Sequence, residues 1–133
     1  MVKMNKRLKC YYAHTMVSYN STIEQKDVEL LNCLGFDVIN HNTQEHRDEL
    51  NAYILKNGKS NVMQYFTEIV KNCDIVAFRS NPDGSILSGV GAELKTALNL
   101  NIPIIEMPNF SCRKFMNYSE TKDYLIELGH YKI

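Results

Sequence analysis

Gly89, Gly91 and Glu93 stand together in the stretch DGSILSGVGAE, between an apolar run, CDIVAF, and a segment of helical character, GVGAELKTALNL. The start of a helix carries free N–H groups and a partial positive charge. Glycines there let a ligand approach the backbone, so the three residues describe an anion-friendly mouth. A helical side chain leans toward the N-terminus, which sets Glu93 beside whatever occupies that mouth. A carboxylate that only complements the helix dipole, or a solvated one, is the alternative. The dinucleotide fingerprint is excluded, because Leu94 stands where its third small residue belongs.

Elements that alternate must position these residues. LKCYYAH (8–14), FDVIN (36–40), CDIVAFR (73–79) and IPIIEMP (102–108) read as short apolar strands. Between them, helices are expected near 21–34, 45–56, 61–72 and 89–100, with a last one over 117–130 and an edge strand at YKI. Ser21 with Glu24 has capping-box spacing, Ile23, Leu30, Leu31 and Leu34 recur at helical intervals, and Ser88 is placed to cap the glycine helix. Alternating strands and helices predict one α/β domain over 1–133. Its form is a Rossmann-like or flavodoxin-like three-layer sandwich around a parallel sheet of four or five strands. In such sheets ligands bind beyond the carboxyl ends of the strands. That selects 14–20, His41 and Asn42, 79–91, and Glu106 to Asn109.

Composition bounds the partners. Of 133 residues, 44% are hydrophobic and 23% charged, and Lys+Arg balance Asp+Glu at 15 each. With net charge +0 there is no electrostatic footprint for nucleic acid or an anionic membrane. No apolar run approaches the length of a membrane helix. The four cysteines form no CxxC pair, so a zinc site is not expected; free thiols and a cytoplasmic, reducing setting are. The histidines show no metal-ligand spacing, and His41, His46 and His130 read as surface. No cofactor is implied, and a flavin is disfavoured because the first loop lacks a Ser/Thr-rich phosphate cradle.

Single residues keep two readings each. His14 follows the first strand and either touches a ligand or caps its loop; Tyr12 shares its strand face, which favours core. Arg79 ends the third strand and either clamps a phosphate or forms an ion pair. Asp83, between Pro82 and Gly84, is a turn residue that can overhang the site. Tyr19, Asn20 and Ser21 open a second helix mouth, with Ser21 as its cap.

The segment CDIVAFRSNPDGSILSGVGAELKTALNLNIPIIEMP, together with KCYYAHT, resembles the nucleoside 2-deoxyribosyltransferase superfamily, which includes the nucleotide 5′-monophosphate N-glycosidases. The likeness spans about residues 8–108 and rests on an Asp-opened strand, then G-x-G-x-E, a helix with Ala97, and an I-P-I-I strand. It implies that Glu93 attacks the anomeric carbon of a ribosyl or deoxyribosyl unit, and that water or a second base resolves the glycosyl-enzyme. It further implies a small-molecule nucleoside or nucleotide substrate and a homodimer or higher oligomer; with the positions after the strands, the expected substrate-binding residues are Tyr12, His14, Arg79, Ser88, Gly89, Gly91 and Asn109. Tyr53, Tyr65 and Phe66 are expected to supply apolar surface for that assembly. The family's helical Asp is replaced here by Phe66, so Glu68 or Asp83 must take over its proton-handling role. A protein that binds such a nucleotide, or a signal derived from one, without turnover is the alternative.

Overall fold

In the computed structural model the described residues are 7–108 and 114–130. Four parallel strands form the main sheet: β1 (Lys9–Ala13), β2 (Asp37–Ile39), β3 (Ile75–Phe78) and β5 (Ile104–Glu106), in the order β2-β1-β3-β5. The helices are α1 (Thr22–Cys33), α2 (Gln44–Asn57), α3 (Val62–Lys71), α4 (Ser88–Asn99) and α5 (Tyr118–Glu127). The chain leaves β1 toward β2 on one side and reaches β3 on the other. The strand order therefore reverses beside β1, which is where open α/β sheets hold their ligands.

The central strand explains the layering. Cys10, Tyr11, Tyr12 and Ala13 are all 0% exposed, so both faces of β1 are covered. Side chains alternate across a strand. Tyr11 and Ala13 join Val76 and Phe78 against Val70 of α3 and Val90, Leu94 and Ala97 of α4. Cys10 and Tyr12 join Ala77 and Met107 against Val28 and Leu31 of α1. The result is the α/β three-layer sandwich, with four strands in its sheet. Among the described residues no helix is long and apolar enough to cross a membrane.

Local chemistry shifts several expected boundaries. Ser21 does cap α1, accepting from the Glu24 amide at 3.1 Å. The reciprocal half of the box is absent, because the Glu24 carboxylate turns to the Asn20 amide at 2.9 Å. Asn20 has φ 62, the left-handed region that Asn tolerates better than most residues. On α1 the stripe that packs is Val28 with Leu31, while Ile23, Leu30 and Leu34 face outward. Ser88 is not the cap of α4. Leu87 holds that position with no side-chain cap bond, and the Ser88 amide donates to Thr121 Oγ1 at 3.0 Å. Leu87 is itself buried, so the chain enters the helix one residue early and α5 supplies the acceptor.

The loop before α4 carries a strand that its length concealed: β4 (Ser85–Ile86) pairs in parallel with β6 (Lys114–Phe115). Two-residue strands have no period to read. Helix α5 ends at Glu127, short of 130, and the expected strand at YKI lies outside the described residues. Cys10 and Cys73 are buried thiols and Cys33 is an exposed one; Cys112 lies outside the described residues. Tyr53, Tyr65 and Phe66 are partly exposed and pack on one another, Tyr53 on Tyr65 at 5.2 Å and Tyr65 on Phe66 at 5.3 Å between ring centroids.

Candidate functional site

A cavity of about 190 Å³ opens beyond the carboxyl ends of β1 and β2, beside the reversal of strand order. The residue after β1 (His14), the residues after β2 (His41), and helices α3, α4 and α5 all contribute to it. Val90, Leu94 and Ala97 lock α4 into the core, and this fixes the direction of Glu93. Glu93 lies one turn after Gly89 on the same flank, and both line the cavity.

Glu93 is 4% exposed. Its Oε2 accepts from the Tyr11 hydroxyl at 2.5 Å. Burial pushes the carboxyl up to about 8, against the pull of the Tyr11 hydrogen bond. Burial and the neighbouring Glu93 together raise the Tyr11 phenol well above its ordinary value. At neutral pH the pair therefore holds a proton on Glu93 and another on Tyr11.

The facing wall is aromatic. His41 lies 4.9 Å from His14, 5.5 Å from Tyr19 and 5.4 Å from Phe66, centroid to centroid. The Tyr19 hydroxyl meets His41 Nδ1 at 2.9 Å. Burial lowers His41 to about 4, so its imidazole is neutral at pH 7. Behind it, His14 Nε2 meets Glu24 Oε2 at 2.5 Å and His14 Nδ1 lies 3.2 Å from the Tyr12 carbonyl. Burial keeps His14 below its ordinary value despite Glu24. Burial also works to raise Glu24, but hydrogen bonds from His14, Asn42 and the Asn20 amide outweigh it and hold the carboxyl low. The pair is a buried imidazole–carboxylate contact in which both His14 ring nitrogens face oxygen acceptors. Asn42 Nδ2 donates to both Glu24 oxygens, at 3.1 and 3.0 Å, and so ties β2 to α1 behind the cavity wall.

Of the residues expected to form a site, Glu93, Gly89 and His14 meet in this cavity. Gly91 does not line it. Residues two apart on a helix point about 200° from each other, and a Cβ at Gly91 would meet Phe115 at 3.4 Å. Tyr12 faces the opposite layer and donates to Asp27 Oδ2. Arg79 binds the same carboxylate through Nε at 2.6 Å and Nη2 at 2.8 Å, and gives Nη1 to the Pro108 carbonyl. It is a partly buried, bidentate ion pair. It stands in a second hollow of about 200 Å³ with Ser18 and Ser21 that meets the first cavity at Thr15.

Neither proposed proton-handling carboxylate lines the cavity. Glu68 is exposed on α3 and pairs with Lys71 at 2.9 Å. Asp83 closes an exposed turn, accepting from the Ser85 amide at 2.9 Å and hydroxyl at 2.6 Å; these bonds hold its carboxyl below the ordinary range. Ser88 is bound to α5 as described, and Asn109 lies outside the described residues. Phe66 is partly buried, with its ring in the cavity wall.

Two cavity residues, His41 and Tyr19, and the Tyr11 that holds Glu93 from behind are not legible as such in the sequence. Strand parity sends Tyr11, not Tyr12, with Ala13 toward α4. His41, expected at the surface, is part of the wall. Its position directly after a strand was the available signal. Tyr19 marks a helix mouth in the sequence, but its hydroxyl is engaged with His41. Among the described residues no group of three His, Cys, Asp or Glu side chains is placed to hold a metal ion. No family model, no curated protein and no solved structure matches the chain.

Proposed function

We propose that this chain cleaves or exchanges the N-glycosidic bond of a nucleoside or nucleoside 5′-monophosphate, with Glu93 as nucleophile. The observation that carries the reading is Glu93 itself. It is a buried carboxyl in a ring-lined cavity, oriented by Tyr11 at 2.5 Å, at the switch point of the sheet. The resemblance of the G-x-G-x-E segment points to the same residue. The cavity of about 190 Å³ is smaller than the roughly 300–1,000 Å³ typical of sites that enclose a whole ligand. It suits the sugar and glycosidic bond, with the rest of the substrate at the mouth.

The ionised Glu93 forms a bond to the anomeric carbon, and the carbon–nitrogen bond breaks with its electron pair leaving on the base. Water, or an acceptor base, then displaces the ester and regenerates the carboxylate. Glu93 gives up its resting proton to solvent before it attacks, the departing base gains a proton from solvent at the mouth, and the water or acceptor base that resolves the ester releases one in turn, so the count closes. The Tyr11 hydroxyl supports the carboxylate once it forms. In this reading the enzyme acts as a homodimer or larger assembly in the cytoplasm.

Phe66, in place of the family's Asp, favours the second reading, a binding protein that holds the same class of ligand without turnover. A chromatographic assay of free base, run on nucleosides and 5′-monophosphates with and without an acceptor base, separates them. Base release that Glu93→Gln abolishes supports the enzyme. Release that survives in Glu93→Gln near the normal rate removes Glu93 from the chemistry, and ligand binding with no release supports the binding protein.

A further inference from the structure

We infer that the preferred substrate of this cavity is a cationic N-glycoside, a sugar joined to a positively charged ring nitrogen as in an N-ribosyl pyridinium, an inference that rests on the glycosidic reading above. With a neutral base, the described residues leave two demands of the reaction unmet. The first is a proton for the departing base. A neutral base leaves as an anion unless it is protonated, and a positioned acid is worth about 10²–10⁴-fold in rate. The described lining positions none. His14 turns both ring nitrogens to Glu24 and the Tyr12 carbonyl. His41 is lowered to about 4 by burial, and its Nδ1 is engaged by the Tyr19 hydroxyl. Burial raises the Tyr11 and Tyr19 phenols, which weakens both as acids. Glu68 and Asp83 stand outside the cavity. Glu93 has surrendered its own proton by the time it attacks.

The second demand is a charge on Glu93. Attack needs the carboxylate, yet burial holds the carboxyl at about 8. A cation beside it favours the ionised form, and a neutral base supplies none. In a pyridinium glycoside the charged nitrogen is the one bonded to the sugar. The charge therefore enters the cavity even where the rest of the ring stays at the mouth. The described lining holds no Lys or Arg to oppose it. Tyr19, His41 and Phe66 line the chamber, and aromatic faces attract cations. Charges behind the wall point the same way. Glu24 of α1 and Arg47 of α2 lie on either side of Asn42, which donates to the carboxylate and accepts from Arg47 Nη1 at 2.9 Å. At the Tyr19 phenol the upward push of Glu93 and of Glu24 each exceeds the downward pull of Arg47. Asp27 is answered by Arg79.

The step then balances without a general acid. A Glu93 oxygen bonds to the anomeric carbon, and the carbon–nitrogen bond breaks with its electron pair returning to the ring nitrogen, which loses its positive charge. A carboxylate and a cation become a neutral ester and a neutral base. Water displaces the ester, restores the carboxylate and releases one proton to solvent.

The test measures kcat/KM for base release with nicotinamide riboside, with the NAD dinucleotide that carries the same pyridinium, and with adenosine, inosine, cytidine and their 2′-deoxy forms. The better pyridinium glycoside is expected to exceed every neutral nucleoside by about 100-fold or more, the low end of what a positioned acid supplies. Which of the two pyridinium compounds leads identifies the source. Equal values, or a preference for a neutral nucleoside, overturn the inference while leaving Glu93 as nucleophile intact. A pyridinium bond is also the more labile one, so a second readout separates the pocket from the bond. The acid limb of kcat/KM reports the free enzyme and is expected near 8. The limb of kcat reports the complex, and with the pyridinium substrate it is expected about one unit lower or more, since the bound cation favours ionised Glu93. A limb of kcat that stays near 8 overturns the inference. Calorimetric titration covers the case of no turnover, with nicotinamide riboside against its neutral 1,4-dihydro form. Binding of the cation about tenfold tighter, an advantage that Glu93→Gln removes, supports the inference although the enzymatic reading has failed. Equal binding of the two forms, or an advantage unchanged in Glu93→Gln, overturns it, and binding of neither overturns both.

Discussion

Glu93→Gln offers a prediction that needs no substrate. The folded carboxyl titrates near 8 against an ordinary value of 4.5, because it is buried. At pH 4 both folded and unfolded chains hold the proton, and the group contributes no pH dependence. Between about 4.5 and 8 the unfolded chain releases it while the folded chain retains it, so stability falls as pH rises. Above 8 the full penalty applies. Holding the proton from an ordinary 4.5 up to about 8 corresponds to a penalty on the order of 5 kcal/mol. That is a large fraction of a domain's stability. The amide still accepts from Tyr11 but does not ionise. The stability of Glu93→Gln relative to wild type is therefore expected to climb from pH 5 to 8, by about 1.4 kcal/mol per unit, and then level off. Urea unfolding at half-unit pH intervals measures it. A difference that stays flat across that range would refute the buried, proton-bearing carboxyl.

Tyr11→Phe removes the hydrogen bond that favours the ionised Glu93, so its carboxyl is expected to titrate higher still. The acid limb of a pH–rate profile should move up, with a stability loss of about 1–3 kcal/mol for the orphaned acceptor. Glu24→Ala leaves His14 Nε2 without its buried partner and is expected to cost about 1–3 kcal/mol in chemical unfolding. Asp83→Asn and Glu68→Gln touch exposed groups away from the cavity, so kcat/KM should stay within about twofold of wild type in both.

The sheet was legible because its strands are short apolar runs buried on both faces, a signal that survives without knowing any partner. Glu93 was legible as a cavity residue because a helical side chain leans toward the N-terminus, here the glycine mouth, although spacing alone also fitted a helix-dipole or solvated carboxylate. What surrounds it was not. Tyr11 and Tyr12 are neighbours of one type, and only the packing of α4 against one face of β1 decides which meets Glu93. Ser88 looked like a cap by type, but Leu87 needed burial and Thr121, distant in sequence, provided the acceptor. Glu68 and Asp83 are the carboxylates that the sequence offers in place of the one Phe66 replaces. Their partners, Lys71 and Ser85, are close in the chain, and local pairing holds both away from the cavity. The His14–Glu24–Asn42 wall joins three segments that no sequence spacing relates.

The most direct measurement is a rapid-quench digest of the protein during turnover of its accepted nucleoside, read by mass spectrometry on the peptide that carries Glu93. A covalent mechanism predicts that this peptide gains the mass of the glycosyl unit, and that Glu93→Gln shows neither the adduct nor base release. Base release in the wild type with no adduct on Glu93, or with the adduct on another residue, would contradict it.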